Sequence, residues 1–300
     1  MIKFTKFSNK LCLGTAQFSK KPYGVKNNSK ILHTNNVTDI INYAKRKNIW
    51  MLDCSENYYG SLEKISKIKD LKKFKIILKI SSPKKFKNKN YATNQIFKLR
   101  QILKVLKIKK VYALMLHDCI NLSYADIKNV KYFFQLAKKQ KLSRFFGISI
   151  YSQNEFHRIY KYIKISLVQG PINFFDRTFI QNGFLQFLRK KKIKFYARSI
   201  FLQGTLLQNV EDLNSYFGPW KKQFQDFEDF CNFNKLTKIE ACLSYVSQIK
   251  YIDYFVIGVL SVSEIKNILN TKLIKTIKFK NLTFSKRRKF LFHPINWKLK

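Results

Sequence analysis

Acidic residues are scarce in this chain, and histidine is scarcer still. Asp and Glu total 17 against 59 Lys and Arg, and there are four His. With His counted as neutral, the formal net charge is +42 over 300 residues. A charge of this size suggests a nucleic-acid partner. Nine of the basic residues are Arg, however, although Arg is the preferred reader of base edges and phosphates. The lysines are spread along the whole chain, as an AT-rich coding sequence would produce, so we expect no specific nucleic-acid binding.

Several other features are missing. The five cysteines are odd in number and form no CxxC pair, which favours reduced thiols and no metal site. No apolar run approaches the roughly 18 residues that span a bilayer. The N-terminal segment MIKFTKFSNK lacks the apolar region and cleavage site of a signal peptide. We therefore expect a cytoplasmic protein with no membrane span.

Eight short apolar runs alternate with longer stretches of helical period, which predicts an α/β protein. Eight strand–helix units match the size and order of a single-domain (β/α)8 TIM barrel. A doubly wound open sheet is the alternative, but no GxGxxG follows any run. The first predicted strand runs into a loop within 11–18. The other predicted strands are 49–53, 74–80, 111–117, 144–150, 165–169, 193–200 and 254–259. The predicted helices are 37–47, 62–71, 95–108, 126–138, 154–162, 183–190 and 263–269, with a helical region at about 223–249.

No linker rich in Pro, Gly or Ser divides the chain, so residues 1–300 are expected to form one domain. The last 25 residues, 276–300, are basic and irregular in pattern. We expect this segment to pack across the barrel or to fray from it.

Residues that can transfer protons lie at the C-terminal ends of the predicted strands, where a barrel of this kind has its active site. The second run ends in Asp53 with Tyr58 and Tyr59 shortly after, the third carries Lys79, and the fourth ends in His117. Burying a lysine among Ile and Leu is costly unless a carboxylate forms an ion pair with it, and Asp53 is the expected partner. The structural alternatives are a lysine that points outward, an Asp that caps a helix and a core histidine.

Asp, Tyr, Lys and His on neighbouring strands can together transfer a proton. A phenol pKa lies near 10, and we expect the adjacent cation to lower it. Such a tyrosine can protonate a carbonyl oxygen while a hydride reaches the carbon, and a histidine can hydrogen-bond the same oxygen. No side chain supplies a hydride, so this chemistry requires a nicotinamide cofactor.

The motifs resemble those of the aldo-keto reductases along nearly the whole chain. The similar segments, in order, are LCLGTAQF with YGV at 23–25, DCSENYYGSLEK, LKISS, LMLHD, FGISIYS, VQGPINFFDR, ARSIFLQGTLL and VIGVLSVSEI. The segment ARSIFLQGTLL is most similar to a bacterial group often met among sugar and surface-polysaccharide genes. Eight motifs in register carry the resemblance, although each one alone is weak.

The resemblance implies a function and a set of site residues. It implies that Asp53, a tyrosine, Lys79 and His117 are catalytic. It implies nicotinamide contacts from Ser149 and Gln169, and phosphate contacts near the eighth strand. The full set of expected cofactor-binding residues is Gly14, Thr15, Ser149, Gln169, Arg198, Ser199, Gly258 and Ser261.

The sequence also departs from the family pattern. The family tyrosine lies five residues after the Asp, as Tyr58 does, and directly before a Gly, as Tyr59 does, so both stay candidates, with a slight preference for Tyr58. Arg198 stands where an aromatic usually stacks on the nicotinamide, and its charge would favour the reduced cofactor. Glu264 stands where many NADP-dependent members have Arg. NADP is the family-level expectation, and NAD stays open.

We therefore expect an enzyme that reduces an aldehyde or ketone with NAD(P)H, with a sugar-derived carbonyl as one candidate substrate. The alternative is a nicotinamide-binding barrel with little turnover that acts as a sensor or partner subunit. The sequence does not predict the substrate or the oligomeric state.

Overall fold

Eight short apolar runs form parallel strands that close into a barrel. The structure is a computed structural model that describes residues 2–3, 8–21, 23–25, 31–85, 90–275, 284 and 288–299. Each strand pairs with the next, and the eighth closes on the first, with Gly14 beside Gly258. The strands are β1 Leu11–Gly14, β2 Met51–Ser55, β3 Lys75–Ile80, β4 Val111–Leu116, β5 Ser143–Ser149, β6 Leu167–Pro171, β7 Lys194–Arg198 and β8 Tyr254–Gly258. The predicted (β/α)8 fold is confirmed.

Helices cover the outside of the barrel. They are α1 Thr34–Arg46, α2 Ser61–Ile65, α3 Tyr91–Leu106, α4 Tyr124–Lys139, α5 Gln153–Tyr160, α6 Phe184–Lys190, α7 Lys221–Phe233, α8 Lys238–Ser247, α9 Val262–Asn270 and α10 Arg288–Phe292. One helix prediction was too long, because the helix expected at 62–71 ends at Ile65. The helical region expected at about 223–249 contains two helices, with Lys235 between them at φ 52°.

Strand alternation divides the apolar residues into two clusters. The outward-facing side chains pack under the helices and form the larger core. The inward-facing side chains fill the barrel with a smaller cluster of Cys12, Met51, Ile77, Ala113, Met115, Leu167 and Tyr196. Asp53, Lys79 and Gln169 follow Met51, Ile77 and Leu167 by two residues on their strands. They therefore form the next inward layer toward the strand C-termini.

The described part of the C-terminal segment packs on loops at this end of the barrel. Arg288 donates hydrogen bonds to Asp176 Oδ1 at 3.3 Å and Thr178 Oγ1 at 2.6 Å, in the loop after β6. The ring of Trp297 packs perpendicular to Phe217, in the loop after β7, at 5.0 Å between centroids. Residues 276–283, 285–287 and 300 of the segment lie outside the described residues.

No helix within the described ranges has both the length and the apolar character needed to cross a membrane. The single-domain organisation of residues 1–300 stays a prediction.

Candidate active site

A buried lysine connects the polar groups inside the barrel. Lys79 and Asp53 each have a side chain 3 % exposed, and Lys79 Nζ lies 2.7 Å from Asp53 Oδ2. The same ammonium donates to Tyr58 Oη at 2.9 Å. Gln169 reaches across from β6, donating from Nε2 to Asp53 Oδ1 at 3.0 Å, with its Oε1 3.4 Å from Lys79 Nζ. The three ammonium hydrogens thus have three acceptors, and both carboxylate oxygens are occupied.

The environment holds Lys79 charged and Tyr58 neutral. Burial lowers the pKa of Lys79, but attraction to Asp53 and then to Tyr58 outweighs burial, so the net pKa is raised. Burial raises the pKa of Tyr58 by more than the neighbouring Lys79 lowers it. The adjacent cation does lower the pKa of Tyr58, as expected, but the cost of ionising a phenol inside the barrel is larger, so the net pKa is raised.

The direction of the Lys79–Tyr58 hydrogen bond determines where the phenol proton goes. An ammonium group has hydrogens and no lone pair, so Tyr58 Oη must be the acceptor. The hydroxyl hydrogen of Tyr58 is then left to point toward the cavity that this residue lines. The rings of Tyr23 and His117 contact the Tyr58 ring edge to face, both at 5.9 Å, and fix its orientation.

His117 follows β4 and is oriented by Ser55. Ser55 Oγ lies 3.0 Å from His117 Nδ1 and accepts a hydrogen bond from the Asn57 backbone N–H at 3.1 Å. The Ser55 hydroxyl hydrogen is therefore available to donate to Nδ1. With that bond, a neutral imidazole carries its proton on Nε2, as a donor.

Tyr59 does not join this group. Its side chain is 61 % exposed, and the ammonium groups of Lys20 and Lys21 lie 5.7 and 6.0 Å from its ring centroid. Its carbonyl accepts a hydrogen bond from the Lys20 N–H at 2.7 Å. Gly60 follows at φ 74° as the N-cap residue before α2, and the turn directs Tyr58 inward and Tyr59 outward. The candidate catalytic role of Tyr59 is therefore corrected.

A cavity of about 280 Å³ extends from this polar group to the first turns of α9. Tyr58, Lys79 and Asp53 line it inside the barrel. The loops and helix that follow β1, β7 and β8 supply further lining residues, including Gly14, Gln17, Ser199, Gln203, Gly204, Gly258, Leu260, Glu264 and Asn267. A Cβ at Gly258 would meet the end of the Gln17 side chain, which would have to move aside to admit it.

The sequence matches the model of the Aldo/keto reductase family over residues 10–281, which is most of the chain. This protein belongs to the aldo-keto reductase family. It is therefore an oxidoreductase of a family that acts on small carbonyl compounds with nicotinamide cofactors. No curated protein matches the chain significantly in sequence.

Solved structures of other aldo-keto reductases share the fold. The holo form of an aldo-keto reductase from Bacillus halodurans is 13% identical, with a TM-score of 0.69 and coverage of 89% of this chain and 88% of that one. A glycerol dehydrogenase from Gluconobacter oxydans is 15% identical, with a TM-score of 0.66 and coverage of 94% and 90%. A thermostable aldo-keto reductase in complex with the inhibitor epalrestat is 16% identical, with a TM-score of 0.65 and coverage of 94% of both chains.

The reductase places its expected cofactor-binding residues in different surroundings. Gly14, Arg198, Ser199 and Gly258 line the cavity. Thr15 is buried, and its Oγ1 donates to the Asp53 carbonyl at 3.0 Å, so it joins β1 to β2. The described lining residues do not include Thr15, Ser149, Gln169 or Ser261.

The other expected cofactor-binding residues contact parts of the protein itself. Gln169 is fully buried, and its amide group is hydrogen-bonded to Asp53 and Lys79. Ser149 is buried on the inward face of β5, in register with Gln169. Ser261 caps α9, where its Oγ accepts from the Glu264 N–H at 3.1 Å. Arg198 lies against Tyr151, with its guanidinium carbon 4.3 Å from the ring centroid, so one of its flat faces is covered.

Sequence reasoning missed several residues of the site. Ser55 has a detectable signal, since it follows Asp53 by two positions and so shares its inward face. Tyr23 and Gln203 gave no such signal, because they come from loops and meet only in the fold, where Gln203 Nε2 donates to Tyr23 Oη at 3.0 Å.

The loop after β7 is unusual in its backbone. Ser199, Leu202, Gln203 and Gly204 all have positive φ, at 57°, 46°, 58° and 93°. Non-glycine residues in this region are strained, and such strain clusters at functional sites. Within the loop, the N–H groups of Leu202 and Gly204 donate to the carbonyls of Ser199 and Phe201, both at 2.9 Å. These bonds hold the strained backbone beside the cavity.

Proposed function

We propose that this reductase converts an aldehyde or ketone to an alcohol with NADPH or NADH, and that Tyr58 is the general acid. The observation that carries the proposal is the Lys79 ammonium shared between Asp53 and Tyr58 inside the barrel. This contact forces the Tyr58 hydroxyl to accept from Lys79 and leaves its own hydrogen for a ligand in the cavity.

Each residue of the group has a separate role in the proposal. Tyr58 donates its proton to the carbonyl oxygen, and Lys79 stabilises the phenolate that forms. Asp53 holds Lys79 in place, with Gln169 bridging the two. His117, oriented by Ser55, hydrogen-bonds the carbonyl oxygen and sets its direction. A bound nicotinamide cofactor supplies the hydride.

The cavity fits such a cofactor. Gly14 and Gly258 pair at the ends of β1 and β8 and line the cavity, and the end of the Gln17 side chain lies over Gly258. In the proposal, the positive-φ loop after β7, which lines the cavity with Ser199, lies beside the cofactor phosphates. These residues would hold the cofactor between the barrel interior and α9.

The choice between NADP and NAD depends on the α9 end of the cavity. The resemblance favours NADP, but Glu264 lines this end and its Oε2 accepts from the Leu260 N–H at 2.8 Å. A carboxylate there opposes a 2′-phosphate and suits a ribose hydroxyl. We propose that the protein accepts NADH as well as NADPH.

The substrate class is proposed from the resemblance and from one structural neighbour. The bacterial motif group suggests a sugar-derived carbonyl, and the Gluconobacter oxydans neighbour is a glycerol dehydrogenase. Small polyols and their aldehydes therefore belong in the first substrate panel.

Two conservative variants test the assignment of the general acid. Purified protein should oxidise NADPH or NADH, followed by absorbance, with at least one aldehyde of the panel. Tyr58→Phe should lower kcat by about 10²- to 10⁴-fold, the usual contribution of general acid catalysis, while cofactor affinity persists. Tyr59→Phe is the matched control and should keep its rate. Full turnover in Tyr58→Phe would reject the assignment, and a protein that binds cofactor but reduces no carbonyl would support the sensor alternative.

A further inference from the structure

Arg198 is a cation in the cavity, and no carboxylate of the described residues forms an ion pair with it. It ends β7 and lines the same cavity as Tyr58 and Lys79. The described residues include all 17 Asp and Glu side chains. None of these carboxylates lies within 4.0 Å of the Arg198 guanidinium, whereas Lys79 has Asp53.

The hydrogen bonds that Arg198 makes go to neutral oxygens, and one of them joins it to the Tyr151 side chain. Nη1 donates to Ser199 Oγ at 3.3 Å, and Nη2 donates to the Ile150 carbonyl at 3.4 Å. A guanidinium carries five N–H donors in a fixed fork that matches a carboxylate or phosphate. Neutral oxygens at these distances do not use that capacity.

Nearby carboxylates are already committed to other groups. Asp53 is bonded through both oxygens to Lys79 and Gln169. Glu155 accepts from the Tyr151 N–H at 3.1 Å and the Ser152 hydroxyl at 3.0 Å. Arg198 is partly buried. A cation with reduced access to water and no countercharge is costly, and the fold holds one here beside the proposed catalytic tyrosine.

The surroundings fix the guanidinium and place it near the reacting end of the cavity. Tyr151 covers one face, and the ring of His293, from the C-terminal segment, packs on Tyr151 at 4.1 Å between centroids. Although burial lowers the pKa of Arg198, the oxygens of Tyr151, Tyr23 and Tyr58 raise it further, so the net pKa is raised.

We propose that Arg198 binds a carboxylate or phosphate group of the substrate, so that the carbonyl compound reduced here is an anion. This inference rests on the proposed function, since it names the substrate class of the same site. The anion supplies the missing countercharge and also shields the cofactor ring, which becomes positive on oxidation, from the guanidinium. The same chemistry could come from the phosphates of the cofactor, and the experiment separates these two sources.

The test compares carbonyl compounds that differ by one charge. The pairs are 4-carboxybenzaldehyde with benzaldehyde, and glyceraldehyde 3-phosphate with glyceraldehyde. The wild type should show a higher kcat/KM for the anion of at least one pair. In Arg198→Leu the anion-to-neutral ratio of kcat/KM should fall by about 10- to 100-fold, the range for charge-assisted hydrogen bonds, mainly through KM. Arg100→Ala, which removes an exposed Arg that bonds Gln140, is the control and should keep the ratio.

The cofactor arm measures the Kd of NADPH and NADH by fluorescence in the same variants. If Arg198→Leu leaves the anion-to-neutral ratio of kcat/KM unchanged but raises the cofactor Kd tenfold or more, Arg198 binds a phosphate of the cofactor. That result would overturn the proposal. Equal preference for anionic and neutral carbonyls in the wild type would also overturn it, and would leave the proposed reduction intact.

A binding arm keeps the inference testable without turnover. Calorimetry should detect benzoate, but not benzamide, binding to the wild-type protein saturated with NADP⁺, and this binding should be lost in Arg198→Leu. Loss of all reductase activity with benzoate binding preserved would reject the proposed function and keep the anion site. Absence of benzoate binding together with an unchanged ratio rejects the site. Arg198→Gln, which keeps donors for Ser199 and Ile150, replaces the Leu variant if that variant does not fold.

Discussion

The buried pair of Lys79 and Asp53 gives a quantitative prediction for stability. Asp53→Asn keeps the side-chain shape and a partner for Gln169 but leaves the buried ammonium without a countercharge. Removing one partner of a buried pair costs about 3–5 kcal/mol. The entropy of unfolding is about 2.1 cal/mol/K per residue, or about 0.6 kcal/mol/K for a chain of this length. Tm should therefore fall by about 5–8 °C.

The assay is scanning calorimetry at pH 7 on matched variants. Asp226→Asn is the control, because Asp226 pairs at 3.1 Å with a Lys222 side chain that is 84 % exposed. Exposed pairs contribute about 0–1 kcal/mol, so this control should shift Tm by less than about 2 °C. The double variant Asp53→Asn/Lys79→Met removes both charges and should recover most of the loss. If Asp53→Asn shifts Tm no more than Asp226→Asn, or if the double variant loses the sum of the single losses, the reasoning is refuted.

Three further predictions concern the C-terminal segment, the cofactor and the net charge. Burial, with Arg198 and Lys289, lowers the pKa of His293 to about 4, so stability present above pH ~6.5 is lost as pH falls toward 4. His293→Phe keeps the ring on Tyr151 without titrating, and its Tm should fall less than that of the wild type between pH 7 and pH 5. Glu264→Arg should shift the ratio of Kd for NADPH and NADH about tenfold toward NADPH in fluorescence titrations, and an unchanged ratio would show that Glu264 does not face the ribose. Duplex DNA binding, followed by anisotropy, should weaken about 10³-fold or more between 50 and 200 mM salt, and persistence would contradict the expectation of no specific nucleic-acid partner.

The barrel was predictable from the sequence because its strands are short, apolar and regularly separated by helical stretches. Boundaries were less predictable. The second strand was expected to end at Asp53 but runs to Ser55, since Cys54 and Ser55 still pair with Leu78 and Lys79 of β3. Pairing with a neighbouring strand is a tertiary contact, and the local pattern after Asp53 already reads as a turn.

The site was predictable where a buried charge required a partner of opposite charge. It was unpredictable where a side chain had several possible hydrogen-bond partners or orientations. Lys79, buried among apolar neighbours, required a carboxylate, and Asp53 provides it at 2.7 Å. Gln169 was expected at the cofactor, but an amide can bond any polar group within reach, and across the barrel it reaches Asp53 first. Adjacent Tyr58 and Tyr59 differ only through the turn at Gly60, which spacing alone cannot distinguish.

The raised pKa of Tyr58 leads to a last prediction about how the charges divide the work. A protonated phenol of high pKa gives its proton only to a stronger base, such as the alkoxide that develops as hydride reaches the carbonyl. Lys79 touches a neutral oxygen before transfer and an anion afterwards, so its attraction strengthens toward the transition state. Asp53 holds Lys79, but its own charge raises the pKa of Tyr58 and so opposes the phenolate. Asp53→Asn loses the group that positions Lys79 but also removes a charge that disfavours the phenolate. Lys79→Met removes only a charge that stabilises the phenolate. In steady-state assays kcat should therefore fall further in Lys79→Met than in Asp53→Asn, and equal losses would mean that Asp53 acts on the reaction beyond holding Lys79.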